Sequence, residues 1–348
     1  MTATIPKIQV YNRKNPVKQN PGLASRIAVI GAFKTEETKP ILCNSLYQAY
    51  EELGDDDTFN GCAVLEDLFY GASSLLAVNI ATKSGSTWTK TITTDNLTEA
   101  LAKIRYENFD MIFIADTVTD AFFPILTTFT KSRFKNKKPV GYVAAITGAN
   151  VSAYTTTVGL VDDFCYGLVT QGISVDYTEK PLLKSAAYYC GVLAALNVGS
   201  TMTTKQVPDV TGLTTEYTFE DGDLGKALVG LGITVFNCYD RENNIYEVVN
   251  SEQPNGYDLY INRVRDYVVR EFALREFLGN RNRQATWSEI NQEISRVKGS
   301  CVDTLDLLAD IEYNVVKKSS KCVDINITRL LFDDIITEID VYITIEVQ

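Results

Sequence analysis

The sequence predicts a wound α/β domain followed by an α+β domain, with extended β-strand arms at both termini, and three observations carry this reading. From residue 23 to residue 180, short apolar runs alternate with helical stretches, the order of a mostly parallel sheet wrapped in helices. After Pro181 the alternation gives way to long helices and paired strands. At the carboxyl end Ile339, Val341, Ile343, Ile345 and Val347 alternate with Asp340, Tyr342, Thr344 and Glu346, the period of two of a half-buried strand.

The amino end repeats that pattern in short form. Ile8 and Val10 alternate with Lys7, Gln9 and Tyr11, and residues 12–22 contain Pro16, Pro21, Gly22 and several Asn and Gln, the composition of an extended tether. Arg26 to Phe33 reads as the first strand of the sheet. Asn44 or Ser45 is placed to cap a helix ending at Gly54, and a second short helix ends at Gly71. Leu75 to Ala81 is the next strand, and Asn96 with Glu99 has the spacing of a capping box for a helix reaching Glu107. Further strands are expected at Met111 to Ala115, Val140 to Ile146 and Phe164 to Thr170, with helices near 120–134 and 151–160 between them.

In the second half, helices are expected at Leu182 to Leu196 and Glu220 to Leu231, then strands at Ile233 to Tyr239 and Ile245 to Val249. A long helix from about Tyr257 to Leu278 carries an apolar stripe of Leu259, Val264, Tyr267, Val268, Phe272 and Leu274. Thr286 with Glu289 has capping-box spacing for a helix that Gly299 would close. Strands near 311–317, 322–330 and 336–347 complete the chain. The expected organisation is an amino arm and linker at 1–22, an α/β domain at 23–180, an α+β domain at 181–334 and a terminal strand at 335–348.

Composition removes several classes of function. The chain has 348 residues, 45% hydrophobic and 22% charged, which is globular and long enough for two cores. No apolar run has the roughly 18 residues of a membrane helix, and the start lacks a signal-peptide pattern, so a cytoplasmic fold is expected. A net charge of −11 argues against a nucleic-acid partner. The seven cysteines are scattered and without a CxxC pair, as reduced core thiols would be. Histidine is absent, which removes the commonest general base and metal ligand. The ends differ in sign: Lys7, Arg13, Lys14 and Lys18 face no acid in the first twenty residues, whereas residues 301–348 hold ten carboxylates against four basic groups. Such ends favour head-to-tail pairing at close range.

Motifs of catalysis are incomplete. Gly225-Lys226-Ala227 lacks both the first glycine and the metal-binding hydroxyl of a phosphate loop. Ser295-Arg296-Val297-Lys298 has no companion motif, and Gly31 stands alone where a dinucleotide site needs three glycines. Asp56 to Asp67 follows calcium-loop spacing only loosely. For a nucleotide-binding enzyme the first candidate residue is Asp116, at the end of a strand. No cofactor and no metal is expected.

The order of several segments resembles the tail sheath proteins of contractile phages and R-type bacteriocins. These segments are Ile27-Ala-Val-Ile-Gly31, Phe69-Tyr-Gly71-Ala72 leading into Leu75-Leu-Ala-Val78, Ala186 to Leu196 followed by Ser200-Thr-Met-Thr203, Leu228 to Phe236, and Val323-Asp-Ile-Asn-Ile327 with the terminal strand. The resemblance implies a structural subunit that stacks as hexameric rings around a tail tube and contracts to drive the tube through an envelope. It also implies terminal arms that thread into neighbouring subunits, partners in the tube, baseplate and terminator proteins, and assembly in a bacterial cytoplasm into a released particle. The arm residues are then Ile8, Val10, Ile339, Val341, Ile343, Ile345 and Val347. The stretch 263–283 holds six arginines against three acids, which makes Arg263, Arg270, Arg275, Arg281 and Arg283 candidates to face the tube. A noncontractile filament or shell subunit would share the arms but form a single lattice.

Overall fold

The computed structural model describes residues 25–272, 284–319 and 322–332. The expected arm strands at Ile8 to Tyr11 and Ile339 to Val347, the tether at 12–22, and Arg275, Arg281 and Arg283 lie outside the described residues.

The wound sheet forms as the apolar runs dictate. Its strands and helices are β1 (Arg26–Gly31), β2 (Ile41–Cys43), α1 (Leu46–Leu53), α2 (Asn60–Ala63), α3 (Leu65–Leu68) and β3 (Ser74–Asn79), followed by the hairpin β4 (Thr82–Ser84) and β5 (Thr87–Thr89). Then come α4 (Thr94–Lys103), β6 (Met111–Thr117), α5 (Phe123–Lys135), β7 (Gly141–Ala145), α6 (Val151–Val158) and β8 (Cys165–Val169). The six-stranded sheet has the order β2-β3-β1-β6-β7-β8, parallel except for β2. Every residue of β3, β7 and β8 is buried, which requires cover on both faces. Right-handed crossovers put α4, α5 and α6 on one face and α1 to α3 on the other.

Beyond β8 the chain forms β9 (Ile173–Val175) and β10 (Thr178–Lys180), which pair with β11 (Val210–Leu213) as a small antiparallel sheet. Pro181 caps α7 (Leu182–Ala195), and α7 lies against β6, β7, β8 and α3. The helix after Pro181 thus covers the same sheet. One apolar core runs from Ile27 to Leu259, and a second cluster begins at Tyr260 and includes residues as far as Phe332. The second half contains α8 (Leu224–Gly230), the hairpin β12 (Phe236–Asp240) and β13 (Ile245–Val248), α9 (Leu259–Glu271), α10 (Gln284–Gly299), and the antiparallel ribbon β14 (Asp310–Ser319) and β15 (Cys322–Leu331).

Two expected caps are corrected. The box at α4 is Thr93 with Asn96: the Thr93 hydroxyl accepts from the Asn96 N–H, while the Asn96 side chain accepts from the Thr93 N–H at 2.8 Å. Thr93 takes the extended backbone that a cap needs, so the helix starts three residues before the expected Asn96 cap. Thr286 lies inside α10 and does not cap it, while Gly299 is the last residue of that helix as expected. Gly299 keeps a right-handed backbone, and the chain continues as a π-turn, Ser300–Thr304.

The thiols at Cys43, Cys62, Cys165 and Cys190 are buried and in no disulfide, with burial pushing the Cys43 thiol up to about 11. The tightest helix contact is α3 against α7, where a Cβ at Gly191 would strike the Asp67 carbonyl and one at Gly71 would strike the Gly191 carbonyl. Because the obstacle is backbone, no side-chain rotation can relieve it. Gly191→Ala gains about 1 kcal/mol in helix propensity. It loses more to overpacking, which costs about 1–3 kcal/mol or above when backbone must move. Denaturant unfolding should therefore show Gly191→Ala destabilised, and a variant as stable as the parent would disprove this packing.

Candidate functional site, an assembly face

The ribbon β14–β15 is the longest strand pair among the described residues that joins no larger sheet. Its strands of ten residues each pair only with one another, and among the described residues no strand lies along either outer edge. A bare two-stranded ribbon is marginal in water, and its outer N–H and C=O groups form a template for further strands. Its faces are unlike. Ile311, Tyr313, Val315, Ile325, Ile327 and Leu330 pack toward the second core, while Glu312, Asn314, Asn326, Thr328 and Arg329 are exposed. An added strand that alternates apolar and polar residues would continue both faces. The alternation that the sequence shows at both ends lies outside the described residues, and the only sequence signal of the bare ribbon edge is the Val323-Asp-Ile-Asn-Ile327 alternation.

Helix α9 fixes this ribbon to the sheet through polar contacts. Tyr166 on β8 donates its hydroxyl to Asp266 at 2.7 Å, and Arg265 reaches the same carboxylate at 2.9 Å and the Asp163 carbonyl at 2.9 Å. Burial pushes the Asp266 carboxyl up, and Arg265 and Tyr166 oppose that shift. The Arg265 guanidinium also lies 4.8 Å from the Phe164 ring centroid. Arg270 pairs with Asp110, whose other oxygen accepts from the Arg26 N–H.

Arg263 was expected to face outward and does not. It is buried, and its guanidinium donates to the carbonyls of Leu193, Leu196 and Asn197, at 3.0, 2.8 and 3.2 Å. These lie at the carboxyl end of α7, where helix carbonyls lack partners and a cation is favoured. Arg263 is therefore a helix-end anchor, and no tube can reach it. Arg270 stays partly exposed beside its ion pair.

At the opposite end of the sheet, the crevice where a doubly wound fold takes its ligand is filled. The parallel strands have the order 2-1-3-4-5, so the switch point lies between β1 and β6. There α2 sits against both strands: the Gly61 N–H donates to the Ala32 carbonyl at 2.9 Å, and a Cβ on Gly31 would lie 2.7 Å from Ala115 and 3.0 Å from Gly61. Asn79 closes the turn further, accepting from the Phe33 N–H and donating to the Thr35 carbonyl. Asp116 is half-buried at this end, its carboxylate accepting from the Thr117 N–H and pushed up by desolvation. Among the described residues, no group of three or more Cys, Asp or Glu is placed to hold a metal ion, and no helix is long and apolar enough to cross a membrane.

No family model matches this chain, and no curated protein matches it in sequence. Solved structures do match in shape. The sheath tail protein of Desulfitobacterium hafniense is similar at a TM-score of 0.65 and 14% identity, over 88% of this chain and 93% of that one. A Listeria innocua sheath tail protein gives 0.61 and 12%, over 85% and 90%. The helical sheath of the anti-feeding prophage in its contracted state gives 0.64 and 12%, over 99% of both chains. The chain thus has the fold of the tail sheath proteins.

The anchor at Arg263 yields a direct test. Arg263→Met keeps the length and apolar stem but takes the charged donor from the Leu196 carbonyl, while the Leu193 and Asn197 carbonyls keep the N–H groups of Leu196 and Ser200. Losing charge-assisted bonds and leaving the Leu196 carbonyl without that donor costs about 2–4 kcal/mol. Arg270→Met, at a solvated pair, should cost under about 1 kcal/mol. Equal losses in chemical denaturation would show that the two arginines do the same job.

Proposed function

We propose that this chain is the subunit of a contractile tail sheath, which polymerises around a tail tube and shortens to drive that tube through a target envelope. The observation that carries this reading is the β14–β15 ribbon, open on both edges among the described residues, in a chain whose two ends have the period of donor strands. Strand donation satisfies the ribbon's backbone and buries apolar side chains at about 1.5 kcal/mol or more apiece. The fold shared with a contracted helical sheath over 99% of both chains supports the same conclusion.

In this reading the carboxyl strand Ile339 to Val347 and the amino strand at Ile8 and Val10 enter the ribbon of a neighbouring copy. The tether 12–22 spans at most roughly 36–40 Å, enough to cross to an adjacent subunit. The arms keep copies joined while rigid-body contacts between them change, an interface-switching transition that consumes no nucleotide. The outer α/β sheet supplies surface for those contacts, with its ligand crevice already packed. The tube, baseplate and terminator proteins are the partners. Arg270, Arg275, Arg281 and Arg283 are the tube-facing residues, and assembly takes place in the host cytoplasm.

Electron microscopy of the purified protein with its tube should reveal one sheath in two lengths. A single length under every trigger would fit a noncontractile filament and overturn the proposal. Ending the chain at Glu338 should leave a folded subunit that cannot polymerise, whereas a collapsed melting transition would mean that the strand belongs to the monomer's own fold. Changing Arg275, Arg281 and Arg283 to Glu should weaken tube–sheath co-assembly at low salt and spare tube-free polymers. Unchanged co-assembly would remove these residues from the tube interface.

A further inference from the structure

Helices α4 and α5 end side by side beneath the amino ends of the sheet strands. Arg133, buried in α5, holds them together by donating to the carbonyls of Arg105 and Glu107, at 3.0 and 2.7 Å, while Lys138 reaches the Tyr106 carbonyl. The arrangement presents Lys103, Arg105, Lys131, Lys135 and Lys137 to solvent. None of these five forms an ion pair among the described residues. The acids near the α4 cations in sequence are Asp95, Glu99, Glu107 and Asp110, and Asp162 touches α5 by accepting from the Thr130 hydroxyl at 2.7 Å. Tyr106 stands among the cations, 77% exposed, with the Arg105 guanidinium 5.6 Å from its ring centroid. Cations at helix carboxyl ends ease the helix dipole, which accounts for Lys103 and Lys135. It does not account for Lys131 a turn earlier, for Arg105 and Lys137 beyond the helices, or for an exposed aromatic between them.

A complementary surface lies at the other end of the molecule. The turn from β9 to β10 places Asp176 and Tyr177 in left-handed backbone, with φ of 48° and 62°. The Asp176 N–H donates to the Asp209 carbonyl and the Tyr177 N–H to Thr211, which fixes the corner. Tyr177 is 81% exposed and is flanked by the exposed carboxylates of Asp176, Glu179 and Asp209, the last accepting from Tyr70. This corner follows the carboxyl end of β8 on the α7 side, whereas the basic patch lies at the strands' amino ends on the α4–α5 side. Within one chain the two cannot meet.

We propose that the α4–α5 basic patch is a contact surface for a second copy of this chain, whose Asp176–Tyr177 corner it receives. The inference rests on the sheath reading and deepens it: the contact is rigid-body, formed without the terminal arms. Charge complementarity gives the orientation, and the two exposed tyrosines, large and restricted in rotamers, supply the contact area that interfaces favour. Such a head-to-tail contact repeats without closing unless its rotation makes a ring, as a stacked helical polymer requires.

Lys131→Glu with Lys135→Glu changes two exposed helix positions and should lower the melting transition only slightly, through the lost cation at the end of α5. Polymerisation, followed by sedimentation and electron microscopy at low salt, should then need at least ten times more protein. Adding Asp176→Lys and Glu179→Lys to the same chain should restore assembly, which a merely damaged fold could not do. A parent chain that never polymerises removes the sheath reading itself. A parent that polymerises alongside an equally competent double variant, or a four-fold variant that stays unassembled, overturns this contact alone. Loss confined to co-assembly with the tube would assign the patch to the tube and likewise overturn it.

Discussion

One helix belongs to two cores, and the arrangement of the second half depends on it. Leu259 at the start of α9 completes the core of the sheet, while Tyr260, Val264, Val268 and Phe272 begin the second cluster. A helix flanked on two sides has little exposed surface left, so Asn262, Arg263 and Asp266 are buried as well. Buried polar groups are tolerated only when partnered, and each has found one: Asn262 at Asn255, Arg263 at the end of α7, Asp266 at Tyr166 and Arg265. The geometry of these bonds sets where α9 lies, and α9 sets where the ribbon β14–β15 is presented.

That hierarchy explains which parts of the molecule were legible in sequence. The strands β1, β3, β6, β7 and β8 are continuous apolar runs because both faces of the sheet are covered, and such runs can be read one at a time. Strands β2, β4, β5, β9 and β10 have three residues each, too few to establish a period, and exist because a neighbour offers its backbone. The alternation at Ile8 to Tyr11 and Ile339 to Val347 is legible in the sequence, on residues outside the described ones. The bare edge of the ribbon is not, since an edge is open or closed according to how many strands gather beside it.

Arg263 was misread for the same reason. The excess of six arginines over three acids in 263–283 made Arg263 a tube-facing candidate, and a charge count carries no information on a second element packed against the helix. The link from Tyr166 to Asp266 spans 100 residues and leaves no local trace. The filled crevice between β1 and β6 was partly legible, in that a single glycine at Gly31 argued against a dinucleotide; that Gly61 of α2 occupies the space is a property of the folded chain.

The joint between α9 and the sheet also has a mechanical character. Its members are directional bonds, and such bonds weaken steeply once donor and acceptor are pulled out of line or apart. Apolar contacts of the kind that seat the ribbon on its core have no such directionality and are proportional to area. Under load the first kind of joint is stiff and brittle, and the second is compliant. Strain entering through the ribbon is therefore absorbed first by its apolar seat, while α9 transmits it to the sheet with little give until Tyr166, Asp110 and the α7 carbonyls let go together.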